Sequence, residues 1–119
     1  MATLANQSTA NQVSFGQLGS VYTKSSNAEI KPPTGKVFVA ITFLEDTTFD
    51  SSAGLIAEEA TVYINTADAA NDAATADTVE GSGGLQLTDA RVFPKGVTVF
   101  GRWTEIDLNV GSCVAYISD

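Results

Sequence analysis

The sequence contains no histidine among its 119 residues. Histidine is the commonest general base near neutral pH and a frequent metal ligand, so its absence excludes the usual serine and cysteine triads and any zinc or copper site built on imidazole. Basic residues are also scarce, since six lysines and arginines face fourteen aspartates and glutamates, for a formal net charge of −8. Such an acidic surface repels phosphate backbones, which argues against nucleic-acid binding.

Cysteine and long apolar runs are equally rare. Cys113 is the one cysteine, so no disulfide can form within the chain. It lies in the apolar run 113–117, where a small buried hydrophobe is the simplest interpretation. No run approaches the roughly 18 apolar residues of a membrane helix, and the N-terminus lacks the basic start and apolar stretch of a signal peptide. We therefore expect a soluble protein that is made in a cytoplasm and binds no membrane.

Residues 1–35 are polar and rich in Ser, Thr, Asn and Gln. Such a segment buries too little apolar surface to offset the entropy of ordering itself, so we predict an extended N-terminal arm. We expect the stretch from about Ala2 to Ser14 to bind a neighbouring chain. The apolar residues of the arm are the candidate protein-interface residues: Val13, Phe15, Leu18 and Tyr22.

Residues 36–119 are predicted to form a single β domain that starts after the rigid Pro32-Pro33 pair. The stretch from Lys36 to Leu44 is apolar on both faces and rich in β-branched and aromatic residues, which is typical of a central strand covered on both sides. Its predicted core face comprises Val37, Val39, Ile41 and Phe43.

Further strands follow at turn-punctuated intervals. We predict them at residues 60–64, with Ala60, Val62 and Ile64 inward, then at 85–88, from 97 to 108 and at 113–117. Alternation places Trp103 on the same face as Val97 and Val99, and so against the core. The pattern predicts an all-β fold, a small antiparallel sandwich or barrel.

Between these strands, residues 65–84 form an acidic loop rich in alanine and aspartate. Its oxygen-bearing side chains, which could serve a calcium ion, are Asp68, Asn71, Asp72 and Asp77. EF-hand spacing is absent, however, and a solvated acidic loop is the favoured interpretation. We therefore predict no metal site and no cofactor, with the three aspartates as weak candidate ligands.

Carboxylate pairs and the single tryptophan offer the remaining chemistry. Glycosidases need two acidic side chains with different pKa values. The acidic residues that lie near each other in the sequence form three candidate pairs: Glu58 with Glu59, Asp46 with Asp50, and Glu105 with Asp107. In a chain with fourteen acids such pairs are unavoidable, so we expect no enzymatic activity. Trp103 could stack on a sugar, although a lone tryptophan on an alternating strand is more often part of the core.

Two segments resemble small structural proteins of tailed bacteriophages. One is Phe93-Pro94-Lys95-Gly96-Val97-Thr98-Val99-Phe100-Gly101-Arg102-Trp103-Thr104-Glu105-Ile106, followed by the last strand. The other, Val39-Ala40-Ile41-Thr42-Phe43-Leu44-Glu45-Asp46-Thr47, is similar to the first core strand of those proteins. The likeness is limited to these segments, and the arm and the acidic loop do not share it.

The resemblance implies a virion component, above all a capsid decoration (cement) protein that stabilises contacts between major capsid subunits. Its partners would be the major capsid protein or other virion proteins, and its assembly a homo-oligomer, for which a trimer is our expectation. A neck, tail or fibre-associated role is an alternative, as is a carbohydrate- or surface-binding β module.

Overall fold

The structure, a computed structural model, describes residues 18–51, 53–59, 62–66 and 87–119. In these ranges the chain forms strands and turns, and it contains no helix long and apolar enough to cross a membrane. The strands are β1 (Ser20–Lys24), β2 (Val37–Phe43), β3 (Thr48–Phe49), β4 (Leu55–Ala57), β5 (Thr98–Ile106), β6 (Leu108–Val110) and β7 (Ser112–Ser118).

The strands build two antiparallel sheets. One has five strands in the order β1-β7-β2-β5-β4, and the other consists of β3 and β6. The smaller sheet lies against the inner face of the larger one, since Phe49 of β3 and Leu108 of β6 belong to the same buried cluster as residues of β2, β5 and β7. The predicted all-β antiparallel fold is confirmed, and its form is sandwich-like.

The core confirms the strongest strand predictions. Strand β2 lies at the centre of the five-stranded sheet, and the fully buried side chains of Ile41, Phe43 and Trp103 occupy one cluster. The Trp103 indole N–H donates to the carbonyl oxygen of Ile64 at 2.8 Å, which satisfies its single polar atom. Val99 packs against the same cluster as predicted, whereas Val97 is exposed, so the predicted alternation is wrong at Val97.

The predicted core face of β2 is wrong at Val39. The register of β2 shifts between Phe38 and Ala40 against both neighbouring strands, as it does at a β-bulge. The irregularity reverses the alternation, so that Phe38 enters the core with Ile41, while Val39 is half-buried outside it. Val37 is buried but lies outside the central cluster.

Three further predictions need correction or fall outside the described residues. The described part of the strand predicted at 60–64, residues 62–64, is not a strand, and the nearby strand is β4 at Leu55–Ala57; Val62 is exposed instead of inward. Residues 60 and 61 and the first half of the predicted strand 85–88 lie outside the described ranges, whereas Leu87 is described and forms a β-bridge with Thr66.

The polar range 1–35 contributes a strand to the large sheet. Strand β1 pairs along its whole length with β7, and Ile30 bridges to Ile106. This pairing needs few apolar side chains, because main-chain hydrogen bonds to a neighbouring strand satisfy the backbone. The part of the predicted arm before Leu18 lies outside the described residues.

Candidate functional site

The outer face of the five-stranded sheet is the surface opposite the core cluster. Cross-strand pairing arranges its side chains in two rows that run across β1, β7, β2 and β5 in that order. One row consists of Ser20, Tyr116, Ala40 and Phe100, and the other of Tyr22, Val114, Thr42 and Thr98. Phe100 is 63% exposed and Tyr22 59% exposed, so two aromatic rings at opposite sides of this face meet solvent. Exposed aromatic side chains are enriched at protein interfaces and ligand sites.

Strand β1 forms one edge of the sheet, and no described strand pairs with its outer side. The Ile117 N–H donates to the carbonyl oxygen of Gly19 at 2.8 Å, and the Ser25 N–H donates to that of Gly111 at 2.9 Å. Because antiparallel pairing alternates along a strand, the backbone groups of Ser20 and Tyr22 point away from β7. The edge therefore presents main-chain donors and acceptors directly beside the exposed ring of Tyr22.

A groove of about 530 Å³ opens where the register of the large sheet is irregular. Its lining includes Val39 on β2 and Gly101 with Arg102 on β5, the residues displaced from regular pairing by the shift. Phe100 and Tyr63 add aromatic side chains to the wall. This volume falls within the range of about 300–1,000 Å³ that small-ligand sites occupy.

Gly101 has a steric reason to be glycine. A Cβ at this position would lie 2.7 Å from the Trp103 ring, closer than side-chain contacts allow. The missing side chain lets the buried indole pack directly against the backbone of β5.

Arg102 is held rigidly at the groove. Its Nε donates to Glu58 Oε1 at 2.7 Å and its Nη2 donates to Glu58 Oε2 at 3.3 Å, while Nη1 donates to the carbonyl oxygen of Asp119 at 2.9 Å. The guanidinium beside Glu58 lowers the pKa of that carboxyl, chiefly through the hydrogen bond. Lys36 forms a second ion pair with the Asp119 side chain. Both ion pairs are partly exposed, so they orient side chains more than they stabilise the fold.

One carboxylate of each pair identified in the sequence is engaged by a group outside the pair. Glu105 pairs with Lys31 at 3.5 Å, and Asp46 accepts a hydrogen bond from the Lys95 N–H at 3.1 Å. Partial burial, followed by the charges of Asp50, Glu29 and Glu105, raises the pKa of Asp107. Across the described residues, no group of three or more carboxylate or thiol ligands converges to hold a metal ion.

The sequence-predicted site residues divide into two groups. Leu18, at 45% exposure, and Tyr22 lie at the surface near the β1 edge, as an interface role requires. The others lie outside the described residues: Val13, Phe15, Asp68, Asn71, Asp72 and Asp77. Trp103 is fully buried and so offers no ring face to a sugar.

Sequence reasoning missed the groove. Phe100 and Arg102 line it together, but nothing in the alternation of β5 indicates that Tyr63 lies beside them. The signal available was Gly101, an isolated glycine inside a strand pattern, which marks a bulge or a close approach of other atoms.

Cys113 is confirmed as a buried hydrophobe, and burial raises the pKa of its thiol to about 12. We expect the folded protein to leave a disulfide reagent such as DTNB unreacted, and one thiol to react after denaturation. The unfolded thiol ionises near pH 8.5, so the contribution of Cys113 to stability is full below that pH and falls as the pH rises toward about 12.

Urea unfolding at pH 7 and pH 10 checks the alkaline part of this prediction. Cys113→Ala is the control, because it removes the thiol and keeps every other ionisable group of the chain. The wild-type protein should lose more stability between the two pH values than the variant does. Rapid DTNB reaction of the folded wild type would contradict the assignment.

Comparisons of this chain with protein-family models, with curated proteins and with solved structures found no match.

Proposed function

We propose that this chain is a structural virion protein, a capsid decoration (cement) protein of a tailed bacteriophage that binds across contacts between major capsid subunits. The observation that carries the proposal is the outer edge of β1, with which none of the described strands pairs, beside the exposed ring of Tyr22. An edge strand with outward main-chain groups can add a strand from another chain, and an adjacent aromatic ring supplies apolar contact. The resemblance of residues 39–47 and 93–106 to phage structural proteins supports the same role.

The charge of the protein agrees with a place on the outside of a capsid. A net charge of −8 disfavours contact with packaged DNA, and it favours a partner surface with basic groups. We further propose that the protein acts as a homo-oligomer, with a trimer as the form to test first. Sedimentation equilibrium of the purified protein measures that state directly.

The test of the function requires that a major capsid gene be found near the gene of this chain, and it uses shells assembled from the product of that gene. The purified chain should co-sediment with such shells and saturate at a fixed ratio of copies per capsid subunit. If it stays in the supernatant at saturating concentrations of shells, the decoration role is wrong. A portal or major capsid gene beside the gene of this chain is the first observation to seek.

Tyr22→Pro tests the edge itself. Proline removes the Tyr22 N–H, which points away from β7, so pairing within the chain should survive while pairing with a partner strand is lost. We expect shell binding to weaken about tenfold or more, the ratio that corresponds to about 1.4 kcal/mol. Binding is measured by co-sedimentation, and folding by circular dichroism.

Tyr22→Ser is the matched control for this prediction, because it removes the ring but keeps the N–H. A smaller loss for serine than for proline assigns the affinity to main-chain pairing. Tight binding by Tyr22→Pro would show that β1 does not add a strand from the capsid protein.

A further inference from the structure

A small socket opens beside the edge of β1. It has a volume of about 220 Å³, and its described lining consists of Tyr22, Thr23 and Lys24 on β1 and of Ser26 and Asn27 in the turn that follows. No residue of β7 is part of this described lining, so the socket lies on the side of β1 that a partner strand would approach. It is smaller than the roughly 300–1,000 Å³ of small-ligand sites, and therefore fits one side chain of a partner better than a free ligand.

The turn after β1 fixes the shape of the socket. The Asn27 N–H donates to the carbonyl oxygen of Lys24 at 2.9 Å, and Asn27 Nδ2 donates to Thr23 Oγ1 at 3.2 Å. Because Thr23 is buried, this second bond ties the turn to the inner side of the strand. The Ser26 hydroxyl and the Lys24 ammonium group have no hydrogen-bond or ion-pair partner within the described part of the chain. Both are therefore available to a group that enters the socket.

Lys24 gives this edge a charge opposite in sign to that of the whole chain. It is the one charged residue between Leu18 and Ala28, in a chain with a net charge of −8. Ser112 lies opposite Lys24 in the register of β1 and β7, and its hydroxyl donates to Glu45 at 2.7 Å. In the described ranges neither Glu45 nor another carboxylate lies within ion-pair distance of Lys24. The socket therefore favours an anionic side chain.

We propose that the capsid segment added to β1 is an extended strand that carries an aspartate or a glutamate, whose carboxylate enters the socket and bonds to the Lys24 ammonium and the Ser26 hydroxyl. This inference rests on the proposed decoration role and adds the chemistry of the partner segment to it. Main-chain bonds to the edge supply affinity but tolerate a slip of two residues, whereas a charge-assisted bond at one end fixes the register.

The experiment titrates the isotope-labelled full chain with an extended peptide blocked at both ends, acetyl-Thr-Val-Thr-Glu-Thr-Val-Thr-amide, and follows the amide signals by NMR. The blocked ends keep a terminal carboxylate out of the socket. We expect the amide signals of Ser20, Tyr22 and Lys24 to move, because their N–H groups face the partner. Peptides with glutamine or lysine in place of the glutamate should bind about fivefold more weakly, which corresponds to about 1 kcal/mol for one exposed charge pair.

Lys24→Glu reverses the charge of the socket and should bind the lysine peptide more tightly than the glutamate peptide. Lys95→Glu is the matched control, since it makes the same charge change at an exposed residue outside the socket. It should keep the preference of the wild type for glutamate. The proposal is overturned if no peptide binds at millimolar concentration, if the wild type binds all three peptides equally, or if Lys24→Glu still prefers glutamate.

Shell binding separates this proposal from the decoration role. If the wild type prefers the glutamate peptide but does not bind shells, the socket is supported and the decoration role is wrong. If Tyr22→Pro loses shell binding while Lys24→Glu binds shells as tightly as the wild type, the decoration role is supported and the acidic partner segment is wrong.

Discussion

Phe43→Ala is expected to lower the free energy of unfolding by about 3–5 kcal/mol, the cost of truncating a large aromatic residue in a packed core. Phe43 is fully buried and lies where the two sheets meet. Its ring stacks on Phe93 with centroids 4.8 Å apart and meets the edge of Phe49 at 6.0 Å. Phe49 and Phe93 also contact each other at 5.4 Å, so the truncation removes one corner of a closed aromatic triad.

Urea unfolding followed by tryptophan fluorescence measures the effect, because Trp103 lies in the same core cluster. Phe100→Ala is the matched control, since it makes the same chemical change at a side chain that is 63% exposed. An exposed truncation of this kind should change the free energy of unfolding by no more than about 0.5 kcal/mol. If the two variants unfold at the same urea concentration, the aromatic triad does not join the sheets as described.

Gly111→Ala is expected to cost about 2–4 kcal/mol, because it adds both backbone strain and a steric clash. Gly111 connects β6 to β7 with a φ of 100°, a conformation that side chains rarely adopt. An added Cβ would lie 2.3 Å from Thr47 Oγ1 and 2.7 Å from the carbonyl oxygen of Asp46. Since one of these atoms belongs to the backbone, the strand connection itself would have to move.

Gly96→Ala separates the cost of backbone strain from the cost of the steric clash. Gly96 also has a positive φ, of 89°, but an added Cβ there would meet no atom within 4 Å. The variant should therefore show only the backbone cost, about 1 kcal/mol. Equal destabilisation of the two variants would mean that the space around Gly111 is not as tight as the Thr47 contact requires.

Much of the fold could be predicted because its signals are local. The central position of β2 follows from its β-branched and aromatic residues, and the burial of Trp103 follows from the alternation of β5. Cys113 lies in an apolar run that leaves little choice but burial. These inferences depend on side-chain chemistry and a period of two, which neighbouring residues reveal without tertiary contacts.

The candidate site was predictable only in part. Tyr22 is exposed, as a predicted interface residue should be, but the polar composition of residues 1–35 does not predict that it lies on strand β1. The groove depends on Tyr63 from the segment after β4, on Arg102 from β5 and on Asp119 after β7. Contacts between segments that are distant in the sequence do not produce a periodic pattern of residues, so the sequence does not predict them.

The sequence by itself determined that this is an acidic, histidine-free, all-β chain with one buried thiol and a strongly apolar central strand. Tertiary structure alone decided that Phe38 rather than Val39 joins the core, because both faces of β2 are apolar and only the shift against its two neighbours selects one. It also decided that β1 completes the sheet, since main-chain hydrogen bonds between β1 and β7 join residues about 90 positions apart and do not depend on side-chain identity.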